Sequence, residues 1–128
     1  MSGGPAFLFD LDGTLVDSVY EHVLAWHAAL EAAGIELSVW RIHRRIGMSG
    51  GLFLNALQRE MGHSLDPGEV AALQRAHAAA YVRLATHIRP LPGARELLTY
   101  LTGRGVRWAI ATSGRLETAD SGPTTSTP

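Results

Sequence analysis

Three features of the sequence predict an α/β fold. Two short apolar runs, residues 6–11 (AFLFDL) and 106–111 (VRWAIA), have the length and the bounding turn residues of strands. The residues between them repeat their apolar positions mainly at helical spacing. PLPG at 90–93 marks the return to the second strand, because two prolines so close together break a continuous helix. The order of strand, helical insert, helix and strand is that of an α/β crossover interrupted by a helical module.

Residues 6–11 read as a buried strand that carries Asp10 and Asp12 to its C-terminal end, where Gly13 begins a turn. From Ser18 onward, Val19, Val23, Trp26 and Leu30 recur at helical spacing and Gly34 supplies a stop. Ser38 stands where it can cap a second helix, with Val39, Ile42 and Ile46 on one face and Gly47 at the end. A third helix is expected over residues 51–61. Asp66 and Glu69, with Pro67 between them, predict a capping box for a fourth helix that carries Val70, Leu73, Ala80 and Leu84 and ends near His87. Residues 94–102 predict a fifth, with Leu97, Leu98 and Leu101 buried and Gly103 at its end. The expected division is therefore 1–17, first strand and aspartate loop; 18–88, helical cap; 89–117, helix and second strand; and 118–128, a polar Thr/Ser/Pro-rich tail expected to be disordered.

A formal net charge of -1 leaves no basic footprint, so neither nucleic acid nor an anionic membrane is an expected partner. The chain has no cysteine, which excludes disulfide frameworks, thiol catalysis and cysteine-rich zinc sites. Residues 1–5 do not resemble a signal peptide and no apolar run is long enough to span a bilayer, so a cytoplasmic protein is expected. The histidines lack the spacing of a helical zinc pair; His22 and His27 are five apart, and all six read as surface or half-buried polar residues. Trp26, Trp40 and Trp108 read as packing residues.

Asp10 and Asp12 are the chemically pointed pair. Two aspartates two positions apart at a strand end can divide labour, one ionised and attacking phosphorus, the other partly protonated by its neighbour's charge and protonating the leaving oxygen. The same oxygens suit a hard cation such as magnesium. A DxD pair is equally compatible with an acidic strand end and turn.

The longer string FDLDGTLVDS at 9–18 resembles the first motif of the haloacid dehalogenase-like superfamily residue for residue. The resemblance implies an incomplete Rossmann-like core. It also implies Asp10 as the nucleophile that forms an aspartyl-phosphate, Asp12 as the general acid and then base, and Gly13 and Thr14 in the phosphate-side turn. Mg2+ would be held by the Asp10 carboxylate and the Asp12 backbone carbonyl, and an aspartate at position 12 implies phosphate ester chemistry. AIATSG at 109–114 is similar to the second motif, with Thr112 as hydroxyl donor and Ser113 and Gly114 offering backbone N–H groups to the phosphoryl group. Residues 18–88 match the position of the α-helical cap of the phosphoglycolate phosphatase-like and phosphoglucomutase-like branches, the phosphatases being closer. In the cap, Arg44, Arg45, Met48 and Ser49 flank a helix end from which Arg45 is the expected substrate contact.

The expected ligand is a small phosphorylated metabolite. The family's later lysine and second acidic motif have no counterpart, since all eleven basic residues are arginine and only Glu117 and Asp120 follow Thr112 as carboxylates. A truncated or altered C-terminus, impaired catalysis and self-association through exposed sheet edges are expected. A phosphoglucomutase-like phosphotransferase and a non-catalytic remnant binding phosphate or a protein are the alternatives.

Overall fold

The computed structural model describes residues 4–112. Strand β1 (Ala6–Phe9) and strand β2 (Arg107–Ile110) pair in parallel, from Ala6 opposite Arg107 to Phe9 opposite Ile110. The Ala111 N–H extends the ladder by donating to the Phe9 carbonyl at 2.8 Å. Between the strands the chain forms α1 (Val19–Ala32), α2 (Val39–His43), α3 (Gly50–Met61), α4 (Pro67–Leu84), a 3-10 turn (Ala85–His87) and α5 (Ala94–Gly103). This is the expected α/β architecture, a two-stranded parallel sheet with helices.

The helical insert closes around Val23, Trp26, Leu30, Ile42, Phe53, Leu54, Leu57 and Leu73, all buried. Side chains of this size contribute roughly 1.5–3 kcal/mol each when fully buried, so this layer carries the largest share of the apolar core. The helices α1 and α4 form its spine. The start of α4 is fixed as expected: Asp66 Oδ1 accepts the Glu69 N–H at 2.8 Å and Glu69 Oε2 accepts the Asp66 N–H at 2.9 Å.

Elsewhere the sequence-based expectations need correction. The second helix ends at His43, four residues before Gly47, and Ser38 makes no side-chain cap; Ile42 is its buried anchor, while Val39 is exposed and Ile46 packs from the following loop. Trp40 is exposed, with the Arg44 guanidinium 5.0 Å from its ring centre. On α5, Leu98 and Leu101 are buried but Leu97 faces outward.

The largest correction concerns β1, expected to be buried. Phe7 and Leu8 are 50% and 65% exposed, and only Phe9 joins Leu15, Ala94, Leu98, Trp108 and Ile110 in a small cluster under α5. Leu8 alternates to the face away from α5 and stays exposed, while Phe7 shares the face of Phe9 and stacks on its ring, with centroids 5.9 Å apart.

The insert is tied to the sheet by two strands of loop running side by side. The Leu91 N–H donates to the Leu15 carbonyl and the Asp17 N–H to the Arg89 carbonyl, each at 2.8 Å. Beneath this junction Val16, Ala25, Ala80, Tyr81, Ala85 and Ile88 pack into a second buried cluster.

Candidate functional site

Strand β1 ends at Phe9, so Asp10 and Asp12 fall on the loop that follows it. That loop is held tight: the Thr14, Leu15 and Val16 N–H groups all converge on the Leu11 carbonyl, at 3.2, 2.9 and 3.2 Å. The turn requires a glycine at 13, where φ is +74° and an added Cβ would lie 2.9 Å from Val19 Cγ2. Thr112 follows β2, and the parallel register brings it beside the aspartate loop.

A cavity of about 260 Å³ opens there. Its floor is Asp10, Asp12 and Thr112; its roof is the segment from Ile46 to Gly51 at the start of α3; its wall is His22 and Trp26 from α1 with Gln74, His77 and Ala78 from α4. Sheet and insert thus contribute opposite sides of one site, at the C-terminal ends of the strands where ligands of parallel sheets bind.

The two aspartates are in different environments. Asp10 is exposed, and its Oδ1 accepts the Leu11 N–H at 2.9 Å. Asp12 is half-buried, and its Oδ1 accepts both the Ser18 hydroxyl at 2.5 Å and His22 Nε2 at 3.1 Å. Burial opposes ionisation of Asp12, but the bonds from His22 and Ser18 and the charge of His22 outweigh it and hold the carboxyl below the usual range. This runs against the expectation of an Asp12 partly protonated by its neighbour's charge: burial acts that way, and the bonds from His22 and Ser18 act against it. Tyr81 closes the network from below, its hydroxyl pushed up by burial and by the charges of Asp12 and Glu21, and bonded to Ser18.

Of the other expected site residues, Gly13 and Thr14 shape the turn without lining the cavity, and Met48 and Ser49 do line it. Arg45 does not. Its Nε lies 3.0 Å from Glu60 Oε2, and the guanidinium forms an ion pair there that Arg41 joins at 3.6 Å. Ser113 and Gly114 lie outside the described residues, as do Glu117, Asp120 and the tail. No local pattern marks His77 or His22, which by spacing read only as surface or half-buried polar residues. Their importance comes from a meeting between helices 55 positions apart.

For Mg2+ the oxygen chemistry fits in kind: Asp10 offers a carboxylate, and no backbone N–H among the described residues takes the Asp12 carbonyl. The set is short by count, for the described residues hold no group of three or more His, Cys, Asp or Glu placed to bind a metal.

An aspartate loop at the C-terminal edge of a parallel sheet, roofed by a helical insert, defines an α/β protein with a cavity at its strand ends. The chain belongs to the haloacid dehalogenase-like hydrolase family, which it matches over residues 5–123. It is similar to hexitol phosphatase A of Escherichia coli, with 34% identity over 121 residues covering 88% of this chain and 50% of that protein. It is also 30% identical to the protein CbbY of Rhodobacter capsulatus over 113 residues, 84% of this chain and 50% of that one. A hydrolase from Pseudomonas syringae superposes with a TM-score of 0.89 at 52% identity, over 92% of this chain and 54% of the other. The chain thus spans about half the length of the relatives it matches. Among the described residues, no helix is long and apolar enough to cross a membrane.

Proposed function

We propose that the chain carries the nucleophile half of a phosphatase acting on phosphate monoesters of small metabolites in the cytoplasm. The observation that carries this reading is the convergence of Asp10, Asp12 and Thr112 on one cavity beneath the helical insert. It is supported by the similarity to a hexitol phosphatase over 88% of the chain. Residues 18–88 act as the cap, and 1–17 with 89–117 as the catalytic layer.

In this reading an Asp10 carboxylate oxygen attacks phosphorus, the bond to the ester oxygen breaks, and an aspartyl-phosphate forms. Asp12 gives a proton to the leaving oxygen, then takes one from the water that hydrolyses the acyl phosphate. The bonds from Ser18 and His22 favour the ionised carboxylate, so they aid the second step and oppose the first. Thr112, with Ser113 and Gly114, holds the phosphoryl oxygens, and the turn at Gly13 and Thr14 keeps the loop in place. Mg2+, bound by Asp10 and the Asp12 carbonyl, would supply charge neutralisation between nucleophile and phosphate. Arg45 would reach a substrate only by leaving Glu60. The absence of lysine removes one cation from the electrostatic set and favours weak turnover by this chain alone.

The test is phosphate release from an aryl phosphate and from hexitol phosphates, with and without Mg2+. Magnesium-dependent release that Asp10→Asn abolishes supports the reading. Release unaffected by Asp10→Asn would overturn it, and phosphate binding without release would favour the non-catalytic alternative.

A further inference from the structure

His22 approaches Asp12 through Nε2, at 3.1 Å from Oδ1. A carboxylate oxygen that already accepts the Ser18 hydroxyl offers lone pairs and no hydrogen, so His22 Nε2 has to carry the proton. A neutral imidazole has one N–H, and the other nitrogen, Nδ1, is then an acceptor. The group that faces Nδ1 is Nε2 of His77, 3.5 Å away across the α1–α4 interface. With His22 neutral, that approach is attractive only if His77 Nε2 donates.

Both rings are held at the angle this requires. His77 stacks on Trp26 with centroids 4.1 Å apart and planes at 18°, and Trp26 in turn stacks on buried Phe53. His22 stacks on Tyr81 at 4.1 Å and 16°. The stacks hold the two ring planes, so His22 Nδ1 and His77 Nε2 stay facing each other, and the tautomers decide which of them donates.

Resting on the reading of Asp12 as the acid–base carboxylate, we infer that His77 is a positioning residue that reinforces the tautomer Asp12 demands of His22, and so steadies the His22–Asp12 hydrogen bond. The ordered chain runs from His77 Nε2–H to His22 Nδ1, and from His22 Nε2–H to Asp12 Oδ1. His77 lines the cavity beside His22, so it also exposes this arrangement to whatever the cavity admits. Neighbours that fix the tautomer of a functional histidine are worth roughly 10 to 100-fold in activity when removed at metal sites, which sets the scale here.

The test is 15N NMR of the histidine side chains in this chain, at a pH of about 9 where an ordinary imidazole is neutral. In the unmodified protein both His22 and His77 should carry their proton on Nε2. His77→Phe keeps a ring against Trp26 and removes the donor; the Nδ1–H form of His22 should then rise about tenfold, the equilibrium equivalent of one hydrogen bond. His77→Gln, whose amide can donate, should restore the original tautomer, which a purely space-filling role for His77 would not predict. A His77 proton found on Nδ1 in the unmodified protein, or a His22 tautomer unchanged by His77→Phe, would overturn the inference. If His77→Phe does not fold, the unmodified protein and His77→Gln still decide it. The measurement needs no turnover, so it separates from the phosphatase reading: if turnover survived Asp12→Asn, that reading would fail while the tautomer result stood.

Discussion

The helical insert and the two-stranded sheet solve the burial problem to different degrees. In the insert, Phe53, Leu30, Leu54 and Leu57 are almost wholly removed from water, and four helices share one core. In the sheet, four-residue strands lean on one helix, and Phe7 and Leu8 remain half or more exposed. The cavity lies between the two, taking its carboxylates from the thinly packed side and its histidines and tryptophan from the well-packed side. The cavity therefore draws on both layers, and His22 of the well-packed layer contacts an aspartate of the thinly packed one.

The sharpest test of this contrast is truncation in the insert. Phe53→Ala should cost about 3–5 kcal/mol, the range for emptying a buried aromatic site, read as a fall in the urea midpoint. A loss below about 1 kcal/mol would show that the insert is as loosely packed as the sheet.

A pH series probes the seam between the layers. Asp12 is held below its ordinary value of 3.8 in the folded state, so it binds protons less readily there than in the unfolded chain. Its contribution to stability is present above that ordinary value and lost as pH falls through the lower folded value. Urea unfolding of the wild type and Asp12→Asn, followed from pH about 6 to about 2, should converge at the acid end. Parallel curves would remove the His22 and Ser18 bonds as a source of stability.

The capping box is a smaller lever within the insert. Asp66→Ala should cost about 1 kcal/mol by leaving the Glu69 N–H without its acceptor, measured in the same unfolding assay. The least effect is expected on the open face of the sheet. Leu8→Ser should change stability by no more than about 0.5 kcal/mol, as exposed positions generally do. A loss comparable to that of Phe53→Ala would mean that Leu8 is covered in solution and would erase the contrast.

Local signals made much of the fold legible. Asp66, Pro67 and Glu69 specify a helix start through contacts within one turn, so sequence proximity suffices. Gly13 forecasts the turn because only its backbone tolerates that φ beside Val19. Signals that depended on a neighbour's shape read less well. Leu97 had helical spacing but no surface to meet, and Ile46 packs without being helical because its burial depends on where the chain returns, not on its own helix.

The sequence alone determined that Asp10 and Asp12 stand at the end of a strand, that helices separate it from a second strand, and that Thr112 follows that strand. Each depends on residues close in the chain, whose propensities and spacing act before any long-range contact exists. Only the tertiary structure decided the electrostatic state of the site. Ser18 and His22 reach Asp12 because α1 starts directly over the aspartate loop, and His77 reaches His22 because α1 and α4 pack side by side. A hydrogen bond acts over a few ångströms and is indifferent to sequence separation, so residues 55 positions apart become partners only once packing fixes the distance between their helices.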